Sequence, residues 1–144
     1  MRTVAADPDN AIRKLPEKEC VELLAAAAIG RVGFVSSQGV EILPVGYRLG
    51  DGPRLFIAAR AWGTIGQLAE SGARCTFEVD YHGLTSRSGW SVLMHGTLSR
   101  LEQEGRAAYG RLTHSLDPWP GYRDIQPVQF VPISYSGRSV LHPS

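Results

Sequence analysis

Arg87-Ser-Gly-Trp-Ser-Val-Leu-Met-His-Gly96 is the stretch that decides how the chain folds. Trp90, Val92 and Met94 share one phase of a period-two pattern, while Ser91, Leu93 and His95 share the other. A strand with apolar residues in both phases belongs where both faces are covered, as in a small barrel or at a seam between two subunits. Ser88-Gly89 leads into it and Gly96 leads out, so glycine marks both ends. A strand tryptophan most often packs a core. The sharper alternative is that Trp90 and its small neighbours form a wall for a flat ligand.

Working outward, the preceding segments also read as β. Arg31–Ser37 is a strand, Gln38-Gly39 a tight turn, and Val40–Leu49 a second strand. Gly50-Asp51-Gly52 turns the chain into Arg54–Ala59, giving a three-stranded meander. Pro44 cannot donate a ladder hydrogen bond, which marks an edge, a bulge or a crossing between sheets. Thr64 is an N-cap candidate for a short helix through Ile65, Leu68 and Ala69, closed by Gly72. Arg74–Asp80 returns as a strand, and Tyr81–Ser86 is a loop. After the opening stretch, Glu102–Leu116 reads as a weak helix interrupted by Gly105 and Gly110 and stopped by Asp117-Pro-Trp-Pro-Gly-Tyr122. Val128–Tyr135 is the last strand, extended or bent through Val140.

Residues 1–14 are expected to form a flexible or loosely docked arm, and residues 15–144 a single domain. Pro16 suits a helix start, Glu17 and Glu19 complement its positive end, and Gly30 is the expected stop. Its stripe of Cys20, Val21, Leu23, Leu24, Ala27 and Ala28 needs a surface to cover. The expected architecture is mainly β: about six antiparallel strands in a small barrel with a capping N-terminal helix.

Composition excludes several classes. A net charge of +1 gives no bulk attraction to nucleic acid or anionic membrane. No run approaches the roughly twenty apolar residues of a membrane helix, and residues 1–14 do not read as a signal peptide, so a soluble cytoplasmic protein is expected. Cys20 and Cys75 read as buried thiols. The four histidines are scattered without metal-ligand spacing, His95 reading as a partly buried strand residue, and no hydrolase elbow or phosphate-binding loop motif is present. The basic residues are thirteen arginines against Lys14 and Lys18. Arg54, Arg60 and Arg74 flank the helix start near Thr64, where an anion could be held; the plainer reading is a capped helix with solvated arginines.

In these segments the chain resembles the pyridoxamine 5′-phosphate oxidase-like proteins, the FMN-binding split barrels, in particular short actinobacterial-type members. The likeness runs from Leu15 to Arg138. It rests on Gly30-Arg-Val-Gly-Phe-Val35, Leu43-Pro-Val-Gly-Tyr47, Leu55-Phe-Ile-Ala-Ala59 followed by Gly63-Thr64, and Phe77-Glu-Val-Asp80. Arg87-Ser-Gly-Trp-Ser-Val92, Pro118-Trp119 and Ile133–Arg138 complete it.

The resemblance implies a six-stranded split β-barrel that forms a homodimer with cofactor sites at the seam. It implies an oxidoreductase using FMN, or alternatively a deazaflavin, on a small-molecule substrate. A non-enzymatic flavin or haem carrier or sensor is the alternative the same fold allows. Carried onto this chain, the phosphate-holding segment is Phe56, Ile57, Ala58, Ala59, Arg60, Gly63, Thr64 and Ile65. Leu43, Pro44 and Val45 would lie against the ring, Ser88, Trp90 and Ser91 would approach from the partner subunit, and Trp119 would shape the substrate side. Members that bind FMN commonly carry a base directly after the threonine, where this chain has Ile65, so Ile65→Lys is expected to tighten FMN binding. The residues expected for pyridoxamine-phosphate recognition in the C-terminal segment are not found, which argues against that substrate.

Overall fold

The structure, a computed structural model, describes residues 11–60, 62–85, 88–113 and 125–141. Strand β1 spans Ala11–Leu15, β2 Ile29–Ser36, β3 Gly39–Gly46, β4 Arg48–Leu49 and β5 Leu55–Arg60. Strands β6 (Arg74–His82), β7 (Ser88–Arg100) and β8 (Ile125–Leu141) follow, and the helices are α1 (Glu17–Leu24), α2 (Thr64–Glu70) and α3 (Arg106–Thr113). The described strands form one antiparallel sheet in the order β3-β2-β6-β7-β8-β5-β4, with β1 also on β8.

The long strand β8 organises the closure. One edge pairs with β7 along its length, from Ser88↔Leu141 to Arg100↔Val128. The other edge is divided between β5, from Leu55↔Phe130 to Arg60↔Ile125, and β1, from Ala11↔Leu141 to Leu15↔Gly137. This is a split barrel, mainly β, as the sequence implies. Its two added strands are short. The apolar-basic run Ala11–Leu15, read as part of an arm, finds the free Gly137–Leu141 edge and pairs with it. The expected second strand, Val40–Leu49, is divided at Tyr47 into β3 and the two-residue β4.

Alternation sorts each strand into an inner and an outer face. Val32 and Phe34 on β2, Phe77 and Val79 on β6, Val92, Met94 and Leu98 on β7, and Val128 and Phe130 on β8 fill the interior. Tyr47 meets Phe77 edge-on at 5.6 Å between ring centroids. Helix α1 covers one mouth with Cys20 and Leu24, and the buried Tyr47 hydroxyl donates to the Leu24 carbonyl at 2.6 Å. The lack of a side chain at Gly137 makes room for the Cys20 sulfur. A smaller cluster of Phe56, Leu101 and Tyr109 lies under α3, on the other face of β5.

Two helix expectations change. Helix α1 stops at Leu24, and Gly30 is a β2 residue rather than a helix stop. The reason is packing: a Cβ at Gly30 would lie 2.8 Å from the Glu78 carbonyl and would also strike the Phe77 ring. The weak helix after Glu102 becomes a 3-10 turn, Gln103–Gly105, followed by α3. The proline-rich stop of that segment lies outside the described residues.

Candidate functional site

The predicted phosphate segment is a strand followed by a turn and a helix. On β5, Phe56, Ile57 and Ala59 are buried, while Ala58 is half-buried and Arg60 exposed. The turn is closed by the Gly63 amide donating to the Arg60 carbonyl at 3.1 Å and by Gln67 Nε2 donating to the Trp62 carbonyl at 3.1 Å. Gly63, in extended conformation, is the N-cap of α2. Thr64, expected to be the cap, is instead the first helical residue, with an exposed side chain. Gly72, at φ +65°, closes the other end as expected. Ile65 turns into the main core, at 9% exposure, so its side chain does not face the turn's outer surface.

One edge of β5 is only partly covered. β8 pairs with all six of its residues, but on the other edge β4 pairs only with Leu55 and Phe56. Ladder hydrogen bonds therefore leave the Ile57–Arg60 stretch open on that edge. Strand β3 touches β5 without pairing to it among the described residues. It contributes the half-buried Leu43 and the exposed Pro44, with Val45 turned inward. β3 is also the end strand of the sheet, which accounts for the proline. The β3 and β5 candidates thus come together at the split.

The third set of candidates does not join them. Ser88, Trp90 and Ser91 occupy the start of β7, where Trp90 is half-buried and packs against the main core. Helix α2 is tied to the other end of that strand, through the Leu98 amide and the Ala73 carbonyl at 3.0 Å. Eight residues of strand separate Trp90 from Leu98, about 26 Å at the usual rise. Trp119 lies outside the described residues.

The three arginines near the turn also separate. Arg54 lies over the Phe56 ring, 4.8 Å from its centroid, and donates to Gln129 Oε1 at 2.9 Å. Arg60 is at the turn, and Arg74 is on the outer face of the sheet. That face forms a broad groove of about 900 Å³ across β3, β2, β6 and β7. Exposed Val35, Val40 and Ile42 line it together with Leu93, His95 and the pair Glu78 and Asp80. Arg31 Nη1 is 2.9 Å from Glu78 Oε1 and 3.6 Å from Asp80 Oδ1. His95, read as partly buried, is exposed here because it shares the outward phase of β7 with Leu93. Of the sequence-predicted residues Arg74 lines this groove, and none of those carried over from the family does. The signal for it was present as polar or charged residues in the outward phase of three adjacent strands.

Titration separates the two regions. Burial raises the Glu78 carboxyl, helped by its hydrogen bond to Asp80, and Arg31 opposes the rise. Burial alone pushes Cys75 up to about 11 and holds Tyr47 well above the phenol range, so both stay protonated at neutral pH. Both free thiols are buried, as expected, and burial also raises the Cys20 thiol. Among the described residues no group of three His, Cys, Asp or Glu could hold a metal, and no helix is long and apolar enough to cross a membrane.

Comparison with known proteins agrees with this architecture. The sequence model of the family described as pyridoxamine 5′-phosphate oxidase matches residues 16–139. An uncharacterized protein of Mycobacterium tuberculosis is 31% identical over 120 residues, spanning 79% of this chain and 77% of that protein. The FAD-binding protein of Mycobacterium smegmatis has the same fold, with a TM-score of 0.74 and 23% identity over 88% of this chain and 98% of that one. So does the FAD- and haem-binding protein of Mycobacterium smegmatis, with a TM-score of 0.67 and 14% identity over 94% of this chain and 74% of that one. On the family match, which spans most of the chain, and on the split barrel it folds into, the chain belongs to the pyridoxamine 5′-phosphate oxidase family.

Proposed function

We propose that the protein is a flavin-dependent oxidoreductase that works as a homodimer on a small-molecule substrate. The observation that carries this reading is the Ile57–Arg60 edge of β5, left open by the ladder, with strand β3 touching β5 but not paired to it. The residues present fit a flavin. Pro44, exposed on β3, offers an apolar surface for a flat ring, and Arg60 and Thr64 offer a cation and a hydroxyl for its phosphate. Ile65 contributes no side chain to that phosphate, so Arg60 is the charged group of the turn. When bound, the flavin supplies hydride or electron transfer, and the chain's own task is to bind it, orient it and exclude water. FMN and a deazaflavin make the same demands on these residues.

A homodimer would account for the separation of the candidates. Ser88, Trp90 and Ser91 lie at the start of β7, away from its Leu98 end beside Ala73, and in this reading a second copy brings them to the cofactor. The outer face, with apolar Val35, Val40 and Ile42 beside Arg31, Glu78 and Asp80, carries both signs of charge and suits a copy of itself. The test is titration of the purified protein with FMN and with a deazaflavin, followed by a turnover assay with reduced nicotinamide or reduced deazaflavin. Binding with turnover well above that of free cofactor supports the proposal. No change in absorbance and no thermal shift with excess cofactor refutes it.

A non-enzymatic flavin or haem carrier is the second reading, favoured by the likeness to the FAD- and haem-binding protein of Mycobacterium smegmatis. Haem titration separates the two. A Soret band that shifts when His82 or His95 is replaced by Ala supports the carrier, and no band refutes its haem form.

A further inference from the structure

Lys14 on β1 and Arg138 on β8 stand directly opposite each other in the antiparallel ladder, and both are exposed. Directly opposed residues have Cβ atoms about 5 Å apart, so two like charges there repel and weaken the strand pair. The acids that could relieve the repulsion are committed elsewhere. Glu19 is held by Arg13 at 3.0 Å, and Asp80 lies 3.6 Å from Arg31. Among the described residues neither the Lys14 nor the Arg138 side chain has a hydrogen bond or an ion pair. A cation pair kept at a cost to its own ladder suits an anion from outside the chain. The surroundings fit a small one. On its other edge Arg138 is opposite Ser91, and Ser136 and Gly89 are the next residues of the same phase on β8 and β7. A Cβ at Gly89 would lie 2.7 Å from the Tyr81 carbonyl, so that position stays bare. Short neighbours leave both cations accessible, and the two serines add hydroxyl donors. Two cations in one row fall short of the basic stripe that nucleic acid requires.

We infer that Lys14 and Arg138 form an anion clamp for the substrate, which therefore carries a carboxylate or phosphate group. The substrate role rests on the flavin and homodimer reading above and deepens it. In that reading Ser91 comes to the flavin of the other copy, and Arg138 and Lys14 come with it on the two adjoining strands. Each site is then incomplete without the second copy. The flavin's own phosphate is met by Arg60 and Thr64 of its own chain, which leaves the clamp for a second anion.

The test titrates inorganic phosphate at low ionic strength, with and without saturating FMN, into the wild type, Lys14→Ala, Arg138→Ala and Lys14→Glu. Sedimentation, a thermal melt and FMN affinity are measured for each. The wild type should bind phosphate saturably in the presence of FMN, and each variant should weaken that binding about fivefold or more. FMN affinity should change by less than about twofold, and the variants should sediment as the wild type does. Lys14→Glu makes the like-charged pair an opposite-charged one and should raise Tm by about 1–4 °C. No saturable phosphate binding by the wild type, or binding that the variants leave unchanged, overturns the clamp and leaves the flavin reading intact. Phosphate that FMN displaces from this pair assigns it to the cofactor, and variants that fall to monomers make it a subunit contact; either result overturns the substrate role. A wild type that takes phosphate at this pair but no flavin refutes the flavin reading, and the substrate role with it, while the anion site stands.

Discussion

The backbone amide of Leu98 donates to the carbonyl of Ala73 at 3.0 Å, and that bond ties the segment after α2 to one end of β7. Trp90 stands at the other end. Arg60 and Trp90, both assigned to one cofactor on the family pattern, lie on different strands, and the proposal has a second copy of the chain bring Trp90 to the cofactor. Assembly is therefore built into the account.

The outer face supplies the first test. Ile42 is 65% exposed near the middle of the β2–β3 ribbon, so a charge there costs the isolated barrel little. Ile42→Arg should keep the wild-type circular-dichroism spectrum, sediment as a monomer and lose flavin affinity by at least about tenfold, or 1.4 kcal/mol. A wild type that sediments as a monomer would contradict the dimer.

Ile65→Lys decides how the turn is read. With the Ile65 side chain in the core, a lysine there must bury an ammonium or pull the helix away. The structure therefore reverses the expectation from the family pattern. The variant should lose about 3 kcal/mol of stability in denaturant unfolding and should not gain flavin affinity. Tighter binding at unchanged stability would show that residue 65 faces the phosphate.

Glu78 makes a prediction about pH. Its folded-state pKa is raised, first by burial and then by Asp80, so the folded state holds the proton more tightly than the unfolded chain does. Its contribution to stability is thus full below the unfolded value and is lost as pH rises through the folded one. An NMR titration should place the Glu78 midpoint above the ordinary glutamate range, and Asp80→Asn should bring it down. Glu78→Gln should flatten that part of the stability profile. A midpoint in the ordinary range would mean Arg31 outweighs the other two.

Gly96 tests the barrel itself. It sits at the register shift between His95 and Gly96, where a Cβ would collide with the Val131 carbonyl and lie 2.8 Å from the Phe130 ring. The obstacle is backbone, which moves only if the β7–β8 ladder moves. Gly96→Ala should cost on the order of 3 kcal/mol, lowering Tm by about 10 °C. A loss under about 0.5 kcal/mol would show that the bulge is loose.

Much of this was legible in the sequence. The alternation of Trp90, Val92 and Met94 against Leu93 and His95 located β7, and β2, β3, β5 and β6 follow the same rule. What stayed hidden depends on the third dimension. Ala11–Leu15 is a strand only because β8 is long enough to offer an unpaired edge. Gly30 serves a close approach by Phe77 rather than a helix end, which spacing along one chain cannot reveal. The groove joins Arg31, Glu78 and His95 from three strands, and register alone makes them neighbours. The turn misled in the opposite direction: family position pointed to the residue after Thr64 as a phosphate contact, whereas helix phase sends Ile65 inward.

The central claim is that the open edge of β5 holds a flavin. Equilibrium titration of the purified protein with flavin, read by fluorescence quenching and paired with Arg60→Ala, tests it most directly. The account predicts saturable binding by the wild type that Arg60→Ala weakens about tenfold or more, as expected for loss of a charge-assisted bond to phosphate. Saturable binding that Arg60→Ala leaves unchanged, or no binding by the wild type, would contradict it.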